Sequence, residues 1–198
     1  GPNQPVIICE AIDDRNILSG PVAGMSGSPV FIEGKLVGAY AYGYTWPKEQ
    51  AIIGVTPIHS MLPVLEDKGR AVAATGSVNP YWKSVEPASR KRLNDYQSVL
   101  QPLPAPLIAA GISDRTLQAF GDELDELGIK MMAGPGGSSS VELTGEIEAG
   151  SAVAAVLMHG DFNFGATGTV THVDGDQLLA FGHSFFQWGP VEMPLARA

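Results

Sequence analysis

A serine set between two glycines and ahead of a proline, in Ala23-Gly24-Met25-Ser26-Gly27-Ser28-Pro29, is the part of this chain best suited to nucleophilic chemistry. Gly24 and Gly27 permit a tight loop in which the backbone N–H groups of Gly24 and Ser26 can converge on one point, as an oxyanion hole requires. The Ser26 hydroxyl then projects from the turn. The same residues suit a plain Gly-Ser β-turn, because both types dominate turns for conformational reasons, and these residues alone leave both readings open. Ser28 is a rival nucleophile, but it precedes Pro29 where the chain enters a strand, a place that fits a turn hydroxyl better. His59, His159 and His172 stand apart from one another and from any cluster of carboxylates. The single cysteine, Cys9, lies in the apolar run Val6-Ile7-Ile8-Cys9 and reads as a small buried hydrophobe. Neither a metal site nor another cofactor is therefore expected.

The elements that must position such a serine read as strands. Residues 5–12, 29–33, 36–44 and 50–55 alternate apolar runs with Gly-rich turns, and Glu33-Gly34 suits a tight hairpin. Thr56-Pro57 then starts a short helix with Ile58, Met61, Leu62 and Leu65 on one face, its regularity limited by Pro63. Residues 1–67 form one β-rich unit on this reading. Residues 68–140 form a linker with a helical insertion, in which Ser113 caps a helix carrying Leu117, Phe120, Leu124 and Leu127 and ending at Gly128. Residues 134–140, Gly134-Pro135-Gly136-Gly137-Ser138-Ser139-Ser140, read as a flexible loop. Residues 141–198 return to strands at 141–148, 152–159, 163–172 and 177–181, with Asp174-Gly175 as the clearest hairpin signal. Tyr40, Tyr42, Tyr44 and Trp46 alternate, which predicts one aromatic face used for packing or as a cleft wall.

Composition narrows the function classes. With 24 glycines and 15 prolines in 198 residues the chain favours short strands over a helical bundle, so the fold class is mostly β. Twelve basic against 21 acidic side chains give a net charge of −9, which removes the electrostatic footprint that binding a phosphate backbone needs; nucleic acid is not an expected partner. The longest apolar stretch, 152–158, is far short of the roughly 20 residues of a membrane helix, so no membrane span is expected. The first residues carry no basic, apolar leader, and Gly1-Pro2 reads as the scar of a removed tag.

Two blocks carry a family resemblance. The run Pro29-Val30-Phe31-Ile32-Glu33-Gly34-Lys35-Leu36-Val37-Gly38-Ala39-Tyr40-Ala41-Tyr42-Gly43, with Ile53-Gly54-Val55-Thr56-Pro57-Ile58 and the helix after it, resembles the strands that follow the nucleophile in chymotrypsin-like serine peptidases. Gly24-Met25-Ser26-Gly27-Ser28-Pro29 resembles more closely the nucleophile motif of the SpoIVB-type sporulation peptidases. Residues 168–183, from Gly168-Thr169 to Phe181-Gly182-His183, resemble that family's Gly-Thr hairpin and Leu-Gly-His stretch. The matched blocks cover about residues 6–67 and 150–190.

The resemblance implies a serine endopeptidase with Ser26 as nucleophile and His183 as general base. Asp13, with Asp14 as second choice, would orient the imidazole, and Ala41, Tyr42 and Gly43 would form the edge that pairs with an extended peptide. It implies a two-lobed, chymotrypsin-like β-barrel architecture, a protein or peptide substrate of narrow choice, and an exported or cell-envelope location. Self-cleavage would fall in residues 76–106 or 134–140. In the family the order is His, Asp, Ser; here Asp13 and Ser26 precede His183, so the arrangement is either permuted within this chain or divided between neighbouring units. About eight strands are visible against the dozen of a complete double barrel, which favours as the alternative an inactive peptidase-fold module that binds peptides or partner proteins. The oligomeric state is left open.

Overall fold

The computed structural model describes residues 5–43, 51–66, 101–103, 105–126, 131–134, 145–183 and 192–198. The first sheet is built from β1 (Ile7–Glu10), β2 (Ser28–Ile32), β3 (Lys35–Gly43) and β4 (Ile52–Pro57), ordered β1-β4-β3-β2, every pair antiparallel. Between β1 and β2 lies the short helix α1 (Asp14–Ser19). The β2–β3 turn places both Glu33 and Gly34 at positive φ, 50° and 75°, the backbone that matches the right-handed twist of a two-residue hairpin. After β4 the chain makes α2 (Ile58–Met61) and α3 (Pro63–Glu66), one helical stretch divided before Pro63, whose ring cannot continue the hydrogen-bond ladder. A two-residue strand, β5 (Gln101–Pro102), joins this sheet on β3.

The second sheet contains β6 (Leu107–Ala110), β7 (Met131–Ala133), β8 (Ala152–Met158), β9 (Asn163–Asp174), β10 (Gln177–Ala180) and β11 (Leu195–Arg197). Its order is β11-β8-β9-β6-β7, with β10 also on β9. Helix α4 (Asp114–Glu126), started by the Ser113 hydroxyl accepting the Thr116 N–H at 3.2 Å, connects β6 to its parallel neighbour β7. The β9–β10 hairpin turns at Gly175, φ 59°.

Several expectations change here. Among the described residues both sheets are open, where a pair of closed barrels was expected. In the first, the four-residue β1 and five-residue β2 sit on opposite edges with β4 and β3 between them, and closure needs those edges to meet with a fixed stagger. Within 68–140, the described strands pair with the two sheets: β5 joins β3 of the first sheet, and β6 and β7, with α4 between them, lie in the second. Residues 145–148 carry no strand, and 141–144, with most of the 134–140 loop, lie outside the described residues. The aromatic alternation on β3 is interrupted, because the register slips between Tyr40 and Tyr42: Tyr40 faces Val55 and Tyr42 faces Gly54. Tyr44 and Trp46 lie outside the described residues. Cys9 is half-buried on β1 rather than fully enclosed.

The sheets meet where β2 packs on β9. A small apolar cluster joins Ala39 of β3, Met61 of α2 and Leu179 of β10, with Ile58 and Leu65 packed against it, so the helical stretch bridges the first sheet and the β10 hairpin.

Candidate active site

The turn bearing Ser26 is held from three directions. The Ser28 hydroxyl donates to the Met25 carbonyl at 2.7 Å and the Ser28 N–H to the same oxygen at 2.9 Å, which closes the turn and gives Ser28 a structural role. The Gly27 N–H donates to the Tyr40 carbonyl at 2.8 Å, fixing the turn to the bulged part of β3. From the second sheet, the Thr169 N–H donates to the Ser26 carbonyl at 2.8 Å, the Thr169 hydroxyl to the Gly24 carbonyl at 2.9 Å, and the Thr171 hydroxyl to the Gly27 carbonyl at 2.7 Å. Residues two apart on a strand share a face, so Thr169 and Thr171 reach the same turn together. Thr171 and Ser26 are both fully buried. Leaving the Gly27 carbonyl without its donor would cost about 1–3 kcal/mol, which makes these contacts structural ties.

The turn ahead of His183 docks on the same place. Ser26 Oγ donates to the Phe181 carbonyl at 2.5 Å, and the buried Thr56 hydroxyl donates to the Gly182 carbonyl at 2.6 Å. Phe181 adopts φ 67°, a conformation disfavoured for a residue with a Cβ, and Gly182 follows at 72°. Three contacts hold that shape. The Phe181 N–H bonds the Thr169 carbonyl at 3.2 Å, its ring lies where a side chain on Gly168 would be, and Gly182 sits so close to Ala39 that a Cβ there would be 2.7 Å from the Ala39 methyl. Strain of this kind persists only where surrounding structure over-determines it, and it concentrates at functional sites. His183 emerges from this turn with Nε2 buried and its ring facing Tyr42, centroids 6.3 Å apart and planes tilted by 52°.

The structure therefore brings Ser26 and the residues leading into His183 together across most of the chain. The Ser26 proton goes to the Phe181 carbonyl in this arrangement and not to the imidazole. The N–H groups of Gly24 and Ser26 donate to no carbonyl among the described residues. Burial raises the Tyr40 hydroxyl above its ordinary pKa of 10.0, so this phenol beside the Gly27 anchor stays neutral at physiological pH.

The two candidate carboxylates lie at the start of α1. Asp13 is exposed and caps α1, its Oδ1 accepting the N–H groups of Arg15 at 3.0 Å and Asn16 at 3.1 Å; Asp14 is exposed in the first helical turn. An acid ahead of a helix satisfies orphan N–H donors, and that is the use the structure shows for Asp13 Oδ1. Asp13→Ala is expected to lower stability by about 1 kcal/mol, measured by denaturant melts. Serine labelling by a fluorophosphonate should stay within a few-fold, whereas a fall of about 10⁴ would return Asp13 to the imidazole.

The edge residues Ala41, Tyr42 and Gly43 lie on β3 as expected, but they are already paired: Tyr42 with Pro102 and Gly43 with Gln101. Among the described residues no group of three or more His, Cys, Asp or Glu side chains could hold a metal ion. His159 is exposed, with Nδ1 bonded to the Asn163 side chain at 2.8 Å. No described helix is long and apolar enough to cross a membrane. Thr56, Gly168, Thr169, Thr171 and Phe181 also build the site, and of these only the alternation Thr167, Thr169, Thr171 leaves a signal in the sequence. Compared with known proteins, the chain matches no protein-family model, no curated protein and no solved structure.

Proposed function

We propose that this chain is a serine endopeptidase of the SpoIVB type, in a permuted, chymotrypsin-like arrangement, with Ser26 as nucleophile and His183 as general base. The observation that carries the reading is the hydrogen bond from Ser26 Oγ to Phe181, which joins positions 155 residues apart and puts the serine two residues from the histidine in question. In the reaction, the Ser26 hydroxyl turns from the Phe181 carbonyl toward the imidazole, which takes its proton as Oγ attacks the peptide carbonyl carbon. Charge on the carbonyl oxygen is met by the Gly24 and Ser26 N–H groups. The imidazolium then gives its proton to the leaving amine as the C–N bond breaks, and water releases the acyl group by the reverse proton path. With Asp13 capping α1, the pair works as a dyad oriented by the strained turn and Tyr42. The substrate is an extended peptide; an exported or envelope location belongs to the same resemblance.

A second reading has its own support. Ser26 is fully buried and its proton is committed to a backbone carbonyl, as in a peptidase-fold module that binds peptides without cutting them. A fluorophosphonate probe separates the two, since phosphonylation needs an activated hydroxyl. Labelling is expected on the tryptic peptide containing Ser26 and is expected to vanish in Ser26→Ala; a chain that stays unlabelled under prolonged exposure leaves the binding module.

A further inference from the structure

The edge of β3 that would receive a peptide already carries a strand of this chain. β3 pairs with β4 along one side as far as Gly43, so β5 occupies the other side, the side of β2. β2 begins at Ser28 opposite Tyr40, and the Gly27 N–H is bound to the Tyr40 carbonyl. The line of β2 is then taken up again by Gln101-Pro102-Leu103: Gln101 opposite Gly43, Pro102 opposite Tyr42, and the Leu103 N–H donating to the Ala41 carbonyl at 2.8 Å. Antiparallel to β3, this segment runs toward the Ser26 turn, and Leu103 is its end nearest that turn. Leu103 is only 2% exposed, and a Cβ on Gly43 would lie 3.2 Å from the Leu103 side chain and 3.1 Å from the Pro21 ring.

We infer that Gln101-Pro102-Leu103 is a built-in occupant of the peptide-binding edge, holding the site closed by standing where an extended peptide with a bulky aliphatic residue at the Leu103 position would bind. The inference rests on the peptidase reading for what the site does, but not for what it binds. Main-chain pairing gives such a contact its affinity and the side-chain pocket its selectivity. A tethered segment competes at an effective concentration on the order of millimolar, so a free peptide is disfavoured until the segment lifts. The buried Ser26, with its proton on Phe181, fits a site at rest. In the sequence the residue after Leu103 is Pro104, so the bond there is a tertiary amide whose ring crowds attack, which suits a segment meant to block rather than to be cut.

The test uses the full chain, Leu103→Ala, and a variant with Gly-Ser-Gly at residues 101–103. Two quantities are read: anisotropy of a fluorescein-labelled Gln-Pro-Leu amide, with Gln-Pro-Asp as control, and the rate of fluorophosphonate labelling. Both variants should bind the leucine peptide at least about 10-fold more tightly than the unaltered chain and label faster. If the variants gain peptide binding but nothing labels, the occupancy stands and the hydrolytic reading falls. If the unaltered chain labels as fast as the variants and peptide binding does not change, the hydrolytic reading stands and the occupancy is overturned. Since Leu103 is buried, hydrogen exchange on the unaltered chain guards against a folding defect. The Leu103 amide should be protected and should lose protection as millimolar peptide is added; an amide that exchanges freely, or ignores the peptide, overturns the inference.

Discussion

Gly27→Ala is expected to be the most damaging single substitution in the described residues, lowering stability by about 4 kcal/mol. A Cβ at this position would lie 2.0 Å from the Thr169 carbonyl oxygen and 2.4 Å from the Phe181 nitrogen, both backbone atoms that cannot swing aside as a side chain can. Gly27 also holds φ 99°, where a residue with a Cβ is strained whatever the space around it. Relief would require the Ser26 turn to separate from β9, breaking the Thr169 and Thr171 bonds to it and moving Ser26 away from Phe181. Stability and site geometry should therefore fail together. Denaturant melts give the first, and fluorophosphonate labelling below the melting transition gives the second; a variant with an unchanged midpoint would contradict the packing described for this turn.

His183→Gln is expected to lower the rate of Ser26 labelling by about 10³-fold while leaving the fold in place. The amide keeps polar atoms near the positions of the ring nitrogens but has no basic lone pair to take the serine proton. The carbonyls of Phe181 and Gly182, bonded to Ser26 and Thr56, belong to the backbone and are untouched by the change. The turn should therefore remain docked and the loss should be chemical. A labelling rate within a few-fold of the unaltered chain would remove His183 from the reaction.

How much of this could be read in the sequence follows from how local each signal is. The Glu33-Gly34 and Gly175 turns, the cap at Ser113 and the break before Pro63 depend on residues a few positions apart, and they form as expected. The pairing of Gln101-Pro102 with β3, the parallel pairing of β6 with β7 and the strand Leu195–Arg197 on β8 do not. These are strands of two to four residues whose partners are distant, and β preference depends on cross-strand neighbours more than on the residues themselves. For the site, the Gly-Ser turn was readable because glycine is needed for its backbone. Asp13 is ambiguous in the sequence because capping a helix and orienting an imidazole ask for the same side chain, and its cap on α1 shows only in the structure. Phe181 carried no signal, since a bulky residue at positive φ is held there by contacts from β9 and β3 that no local pattern records.

The most direct measurement is a crystal structure of the chain treated with a peptide boronic acid ending in a leucine analogue. On the peptidase reading, boron is bonded covalently to Ser26 Oγ, the His183 imidazole lies within about 3 Å of that oxygen, and a boronate oxygen is held by the Gly24 and Ser26 N–H groups. The peptide should lie along Ala41–Gly43 in place of Gln101–Leu103. A boronate bound with Ser26 unmodified, its hydroxyl still on the Phe181 carbonyl and the imidazole turned elsewhere, would contradict it.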